Sequence, residues 1–310
     1  MLKFILVAVV GAALLGTGTF LVLRDNGSPS APPEETALAP SFPIIEVVTA
    51  QVHLLDERGE RVREVQSGET LIPPFTLETY AGAAANVYLP DASVARLGEN
   101  TRISFSAASY EAEQETLAVH THLTLGRLWS KIMALSTPAS AWEVETSHLV
   151  AVARGTAFGA RVGTDAASEI VGSQERVTVA IRDPETGEHI AGALVIEGEQ
   201  YLRVADADIP DIRNGRTTVA VVPVPSVVAE DAWVVVNREA DRLYDERVAS
   251  LQESGLSPAQ VKQRLFFDIA ARIRGVQSGA PSSSEDGAPG TSPEERPAAQ
   301  AEVVPDSPPL

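Results

Sequence analysis

Residues 4–23 read FILVAVVGAALLGTGTFLVL, twenty positions without a charge. At a rise of about 1.5 Å per residue, such a helix spans roughly the 30 Å of a bilayer's hydrocarbon core. The run exceeds the roughly 7–15 apolar residues of a cleaved signal peptide. It ends in Leu21-Val22-Leu23-Arg24 with no small-x-small site, so an uncleaved signal anchor is expected. Lys3 and the terminal amine make the preceding end positive, while Arg24 is offset by Asp25. These flanks predict a single-pass protein of the cell membrane. Residues 1–23 would form a cytoplasmic stub and transmembrane helix, and the bulk of the chain would be extracytoplasmic.

Proline usage draws the other boundaries. Five prolines fall in residues 24–43 and seven in residues 275–310, so twelve of 21 sit in two short stretches. Both are too poor in apolar residues to offset the entropy of ordering. The first reads as a Pro-rich linker reaching roughly 60 Å if extended, and the second as a disordered Pro/Ser/acidic tail of net charge −5.

The region between them is expected to fold as mainly β. Short runs rich in Val, Thr, Leu and Ile alternate in polarity and break at Gly, Asp-Pro or Asn-Gly. Strands are expected at 47–54, 70–73, 85–89, 101–105, 115–125, 142–146, 149–152, 157–162, 177–181, 194–196 and 200–204. Turns are expected at Asp56 to Gly59 and Asp183 to Gly187. The β domain would occupy 44–205 as a sandwich or solenoid of many short strands, with a loop at 106–116. A connecting segment, 206–225, would hold a hairpin at Asn214-Gly215. Beyond it the period becomes helical: Trp233, Val236, Ala240, Leu243 and Leu251 recur at helix spacing, with Ser226 as cap and Gly255 past the end. Ser257-Pro258-Ala259-Gln260 is a capping box with proline at the first helical position, followed by Val261, Leu265, Ile269 and Ile273. Residues 226–274 therefore predict a helical hairpin whose apolar stripe packs on the β domain or between the helices.

Composition narrows the function. With 24 Lys+Arg against 42 Asp+Glu the chain carries −18, too little clustered positive charge to bind nucleic acid. It has no Cys, which removes disulfides, thiolate catalysis and Cys-based metal sites. No phosphate-binding loop, G-x-S-x-G elbow or H-E-x-x-H is present, so no catalytic, cofactor or metal site is assigned. His120 and His122 would share a strand face but have no third ligand at a suitable spacing. His148 falls on the apolar face and reads as a hydrogen-bonded core or strand-end histidine.

Two clusters stand out. The first runs Val87-Tyr88-Leu89-Pro90-Asp91-Ala92-Ser93, then Leu97-Gly98-Glu99-Asn100-Thr101. The second is Trp142-Glu143-Val144-Glu145-Thr146 followed by Val152-Ala153-Arg154-Gly155-Thr156-Ala157-Phe158. Together they resemble the FecR-type domain family, with its L-x-D-G-S, L-G-x-N-T, F-x-V-x-T and V-R-G-T-x-F pattern. Leu125-Gly126-Arg127-Leu128 resembles the strand preceding the second cluster, and the likeness extends over about 46–204. The motif residues are Leu89, Pro90, Asp91, Ser93, Leu97, Gly98, Asn100, Thr101, Gly126, Trp142, Val144, Thr146, Arg154, Gly155, Thr156 and Phe158, and a structural role is expected for them. Ala92 replaces the family's glycine, implying a turn that tolerates a side chain.

In well-known members a cytoplasmic segment binds a sigma factor and the FecR domain lies beyond a membrane helix. Only three residues precede the helix here, so the resemblance implies a FecR-domain protein without that anti-sigma segment. The expectation is a non-enzymatic envelope protein acting through an envelope or membrane protein partner, as a signalling or sensor component. The alternative is a structural module binding cell-wall glycan.

Overall fold

The computed structural model describes residues 42–278, with side chains as far as Gly275. The expected anchor, linker and acidic tail lie outside the described residues, apart from the linker's last two positions and the tail's first few. Among the described residues no helix is long and apolar enough to cross a membrane.

The chain opens with β1 (Ile44–Thr49), β2 (Val52–Leu55), β3 (Arg61–Glu64), β4 (Phe75–Thr79), β5 (Ala84–Tyr88) and β6 (Val94–Leu97). The longest strands follow, β7 (Arg102–Glu111) and β8 (Thr116–Lys131), then β9 (Ala141–Glu145), β10 (Leu149–Ala153) and β11 (Ala157–Val162). Next come β12 (Ser168–Gly172), β13 (Arg176–Ile181), β14 (Leu194–Glu197) and β15 (Gln200–Val204). A 3-10 turn at Asp206–Asp208 leads into α1 (Ile209–Arg213), β16 (Val222–Pro223), α2 (Ser226–Ala229), α3 (Ala232–Glu253) and α4 (Pro258–Ser278).

The strands form two sheets joined through β8. The first runs β1-β5-β6-β8-β11-β12-β15-β16. The second runs β3-β2-β4-β7-β8-β9-β10-β13-β14, with β8 and β9 the parallel pair in an otherwise antiparallel set. The early part of β8, to Leu125, pairs in the second sheet, and Gly126 to Lys131 pair in the first. Alternation puts Val87, Leu97, Leu128, Phe158 and Leu202 of the first sheet against Leu77, Phe105, Val119, Val144 and Val179 of the second, in one continuous core. The architecture is therefore mainly β, many short strands in a mixed sheet whose two parts close over one core as the layers of a sandwich.

Several local expectations are corrected. The strand expected at 47–54 is two, separated by Ala50 at φ +54°. The stretch 70–73 contributes an isolated bridge at Thr70 and no strand. The loop expected at 106–116 is the tip of the β7–β8 hairpin. Ala108 and Tyr110 face inward there, and small alanines give a weak strand pattern. The 206–225 segment holds no hairpin at Asn214-Gly215; Asn214 caps α1 and Gly215 leaves it at φ +63°.

The helices pack on the outer face of the first sheet. Asp231 caps α3 by accepting from the Trp233 amide at 2.8 Å, while Ser226 opens the separate one-turn α2. Gly255 ends α3 at φ +87°. In the capping box of α4, the Ser257 amide donates to Gln260 Oε1 at 2.9 Å and the Gln260 amide donates to Ser257 Oγ at 3.4 Å. Val261, Leu265, Phe266, Ala270 and Ile273 of α4 are buried with Ile44, Tyr88, Ala92 and Val94 of the sheet side.

Candidate functional site

The motif residues occupy joints of the sandwich. Leu89 is buried, and its amide donates to the Ser93 carbonyl at 2.8 Å across a turn begun by Pro90. Asp91, fully buried, accepts from the Ser93 amide at 3.0 Å and from its hydroxyl at 2.7 Å. Burial pushes the Asp91 carboxyl above its ordinary range despite these bonds. Ser93 Oγ also accepts from the Met133 amide at 2.9 Å. Ala92 lies at φ +69°, a conformation that favours glycine, so this turn carries strain that the side chain does not relieve. Its methyl is buried against the helices, and its carbonyl accepts from the Tyr244 hydroxyl.

Leu97 is a core residue, and at Gly98 a Cβ would stand 3.1 Å from Trp233 Nε1. Asn100 turns the chain at φ +51°. Thr101 Oγ1 donates to the Arg127 carbonyl at 3.2 Å and accepts from the Arg127 amide at 2.9 Å, clamping β8 where it changes sheets. Gly126 lies at that change, at φ +94°, and a Cβ there would come within 2.4 Å of the Thr101 backbone.

In the second cluster Trp142, Val144 and Phe158 are buried, and Trp142 Nε1 donates to Ser130 Oγ at 3.1 Å. Thr146 Oγ1 accepts from the Leu149 amide at 3.0 Å in the β9–β10 turn. Arg154 donates to the carbonyls of Pro138 and Thr137. Gly155, at φ +84°, brings its backbone so near Ala134 that a Cβ would lie 2.8 Å from Ala134 Cα. Thr156 Oγ1 donates to the Gln174 carbonyl.

One constellation resembles catalytic machinery. His148 Nδ1 lies 3.2 Å from Ser168 Oγ, and Nε2 lies 2.6 Å from Asp206 Oδ1. Ser168 and His148 are fully buried, while the Asp206 carboxylate is largely exposed. A nucleophile needs access to its substrate. With serine and imidazole sealed and the acid outermost, the arrangement ties β10 and β12 to the chain after β15. His120 and His122 stand on the second sheet's outer face opposite Glu143 and Glu145. His120 Nδ1 is 3.8 Å from Glu143, and burial with nearby Arg182 lowers the His122 pKa. Among the described residues no group of three or more His, Asp or Glu could hold a metal.

A cleft of about 750 Å³ lies between α3, α4 and the β1–β5–β6 edge of the first sheet. Val236 is 66% exposed and Leu243 52% exposed along its α3 wall, while Ile269 lines it from α4 and Val48 from β1. The helical spacing of Trp233, Val236, Ala240 and Leu243 was legible in the sequence, but that stripe was expected to pack. It turns toward the cleft because α3 presents Asn237, Asp241, Tyr244 and Asp245 to a sheet face carrying Arg96, Trp129 and Lys131. Asp241 accepts from Arg96 at 2.6 Å and from Trp129 Nε1 at 2.8 Å. Burial raises its carboxyl pKa, with Arg96 and Trp129 opposing.

Comparison with known proteins agrees with the motif reading. The family model described as FecR protein matches residues 75–179, about a third of the chain. No curated protein matches. Two crystal structures of a candidate anti-sigma factor from Parabacteroides distasonis ATCC 8503 resemble it at 14% and 13% identity. Each has a TM-score of 0.34 over 48% of this chain, which spans 59% of the length of those proteins. The chain thus carries a FecR-type region, matched over residues 75–179 and folded into the sandwich with its β8 pivot.

Proposed function

We propose that this is a non-enzymatic FecR-domain protein with a signalling or regulatory role, acting through a protein contact at the cell envelope. The proposal includes anchoring by residues 4–23, with the folded region outside the cytoplasm. The observation that carries the contact reading is the cleft. It is concave and lined by exposed aliphatic side chains at helix spacing, a form suited to an apolar segment of a partner.

A photo-crosslinking residue at Leu243 in the full chain, irradiated in native membranes, tests it. A discrete adduct is expected from position 243 and none from Val62, 63% exposed on β3 of the other sheet. Equal adducts from both positions, or none from 243, would sink the contact reading. Sequencing the N-terminus of the membrane-bound protein tests the anchor separately: a mature chain starting near Asp25 rejects it.

A further inference from the structure

A second cavity, about 260 Å³, lies across the first sheet's outer face from that cleft, beneath α2 and the start of α3. Its floor is one rung of the sheet. Arg127 on β8 is the register partner of Arg161 on β11, Arg161 of Glu169 on β12, and Glu169 of Arg203 on β15. Three arginines and one acid therefore stand side by side on one face, in a protein whose net charge is −18. Like charges directly opposite on adjacent strands destabilise a sheet unless something neutralises them.

The acids within reach are few and already engaged. Arg127 turns away to Asp231 at 3.2 Å and lies 5.9 Å from the Trp233 ring centroid. Arg203 takes Asp165 at 2.9 Å, on the exposed rim. Glu169 lies 3.8 Å from Arg161 and 3.6 Å from Arg203, both beyond direct hydrogen-bonding distance, and bonds Tyr201. Among the described residues Arg161 therefore has no direct hydrogen-bond acceptor; its side chain lines the cavity and is 47% exposed, which leaves its planar fork of donors accessible to a ligand. The helices above contribute Val227, Val228 and Trp233, with Asp231 beside Arg127, and Val171 adds an apolar patch to the floor.

From this juxtaposition we infer that the cavity is a binding site for a small organic carboxylate, its carboxyl forked by Arg161 beside Arg127 and its apolar body under Val228 and Trp233. A guanidinium fork matches the two oxygens of a carboxylate, and the aliphatic wall excludes a bare, strongly hydrated ion. The volume is that of a body of roughly ten heavy atoms, below the usual range for larger ligands. The site shares Trp233 with the cleft but draws its charged groups from the β8–β11–β12–β15 rung, which the cleft does not touch.

The test is titration of the full chain in detergent with 3-phenylpropionate, read by tryptophan emission, since Trp233 is the half-buried tryptophan of the three. Saturable binding is expected, with the isosteric 3-phenylpropanamide, acetate and sulfate each at least tenfold weaker. Arg161→Gln should weaken the carboxylate at least tenfold and Arg161→Lys by less, with the fold and a cooperative melt retained because the side chain is 47% exposed and makes no direct hydrogen bond. Arg216→Gln, at an exposed arginine that pairs with Asp211 and does not line the cavity, should bind as the parent does. The proposal falls if the amide or a bare ion binds equally well, if Arg161→Gln binds like the parent, or if no saturation appears by about 10 mM, where affinity is under roughly 3 kcal/mol.

Discussion

Gly126 shows how one residue sets the geometry of this sandwich. Its φ of +94° and the 2.4 Å approach a Cβ would make to Thr101 leave no room for a side chain. Gly126→Ala should cost about 3 kcal/mol or more, combining left-handed strain with a backbone collision. In a domain of this size that lowers Tm by roughly 6 °C or more, measurable by thermal melting. Ser168 gives a contrasting prediction. Because it is sealed against His148, a fluorophosphonate probe should leave it unlabelled in the native protein, and stoichiometric labelling lost in Ser168→Ala would return the triad to consideration. Ala92 marks a limit of sequence reading. The alanine is visible in the sequence, but its φ of +69° and the helix packing over its methyl depend on residues some 150 positions away.

The docking of α3 is polar where the sandwich core is apolar. Asp241→Ala would strand Arg96, whose side chain is only 13% exposed, and breaking such a buried pair costs about 3–5 kcal/mol. Limited proteolysis should then cut α3 well before the sandwich, and Asp241→Asn, which keeps the side chain's shape, should protect it better than alanine. Acid acts differently at the two helices. Burial raises the Glu46 carboxyl, but bonds from Arg272, Asn86 and Tyr88 outweigh it and hold the pKa below the ordinary value. Its stabilisation is therefore full above the unfolded pKa, about 4.3, and is lost as pH falls through the folded one. Asp241, raised by burial, has the opposite sign: its favourable contribution is full below the unfolded pKa and lost as pH rises through the folded one. Acid should thus loosen the α4 seam and spare the Asp241 contact. Melting curves from pH 6 to 3 should fall less steeply in Glu46→Gln than in the parent; identical slopes would contradict this.

The helix face also explains what the sequence concealed. Strands at 157–162 and 200–204 were legible to the residue because short, largely apolar runs bounded by turn residues mark strands even where both faces are buried. The stripe of α3 misled because periodicity identifies an apolar face, not the surface it meets. A sheet face carrying Arg96, Trp129 and Lys131 selects acids, which turned Val236 and Leu243 outward. The second sheet's exposed β3 and the arginine rung were hidden for related reasons: Arg61 and Arg63 give β3 no apolar signal, and the rung joins residues from four separated strands.

For the whole molecule, charge and connectivity act over different distances. The described core and its helices hold most of the −18, which favours solubility, while screening over about 8 Å leaves the arginine rung to be balanced locally by Asp231, Asp165 and Glu169. Connectivity has a mechanical consequence. Glu46, just inside β1, is clasped by Arg272, near the end of α4, so the two ends of the described fold leave side by side. Tension applied between residues 42 and 275 would therefore peel that seam open bond by bond, before loading the β8 strand shared by both sheets in shear. Single-molecule pulling between those points should show α4 yielding first at low force and the sandwich later at a distinctly higher one. A clasp of this kind would work as a fuse: it yields to a tug on either end and rejoins when the tug stops, leaving the sandwich intact.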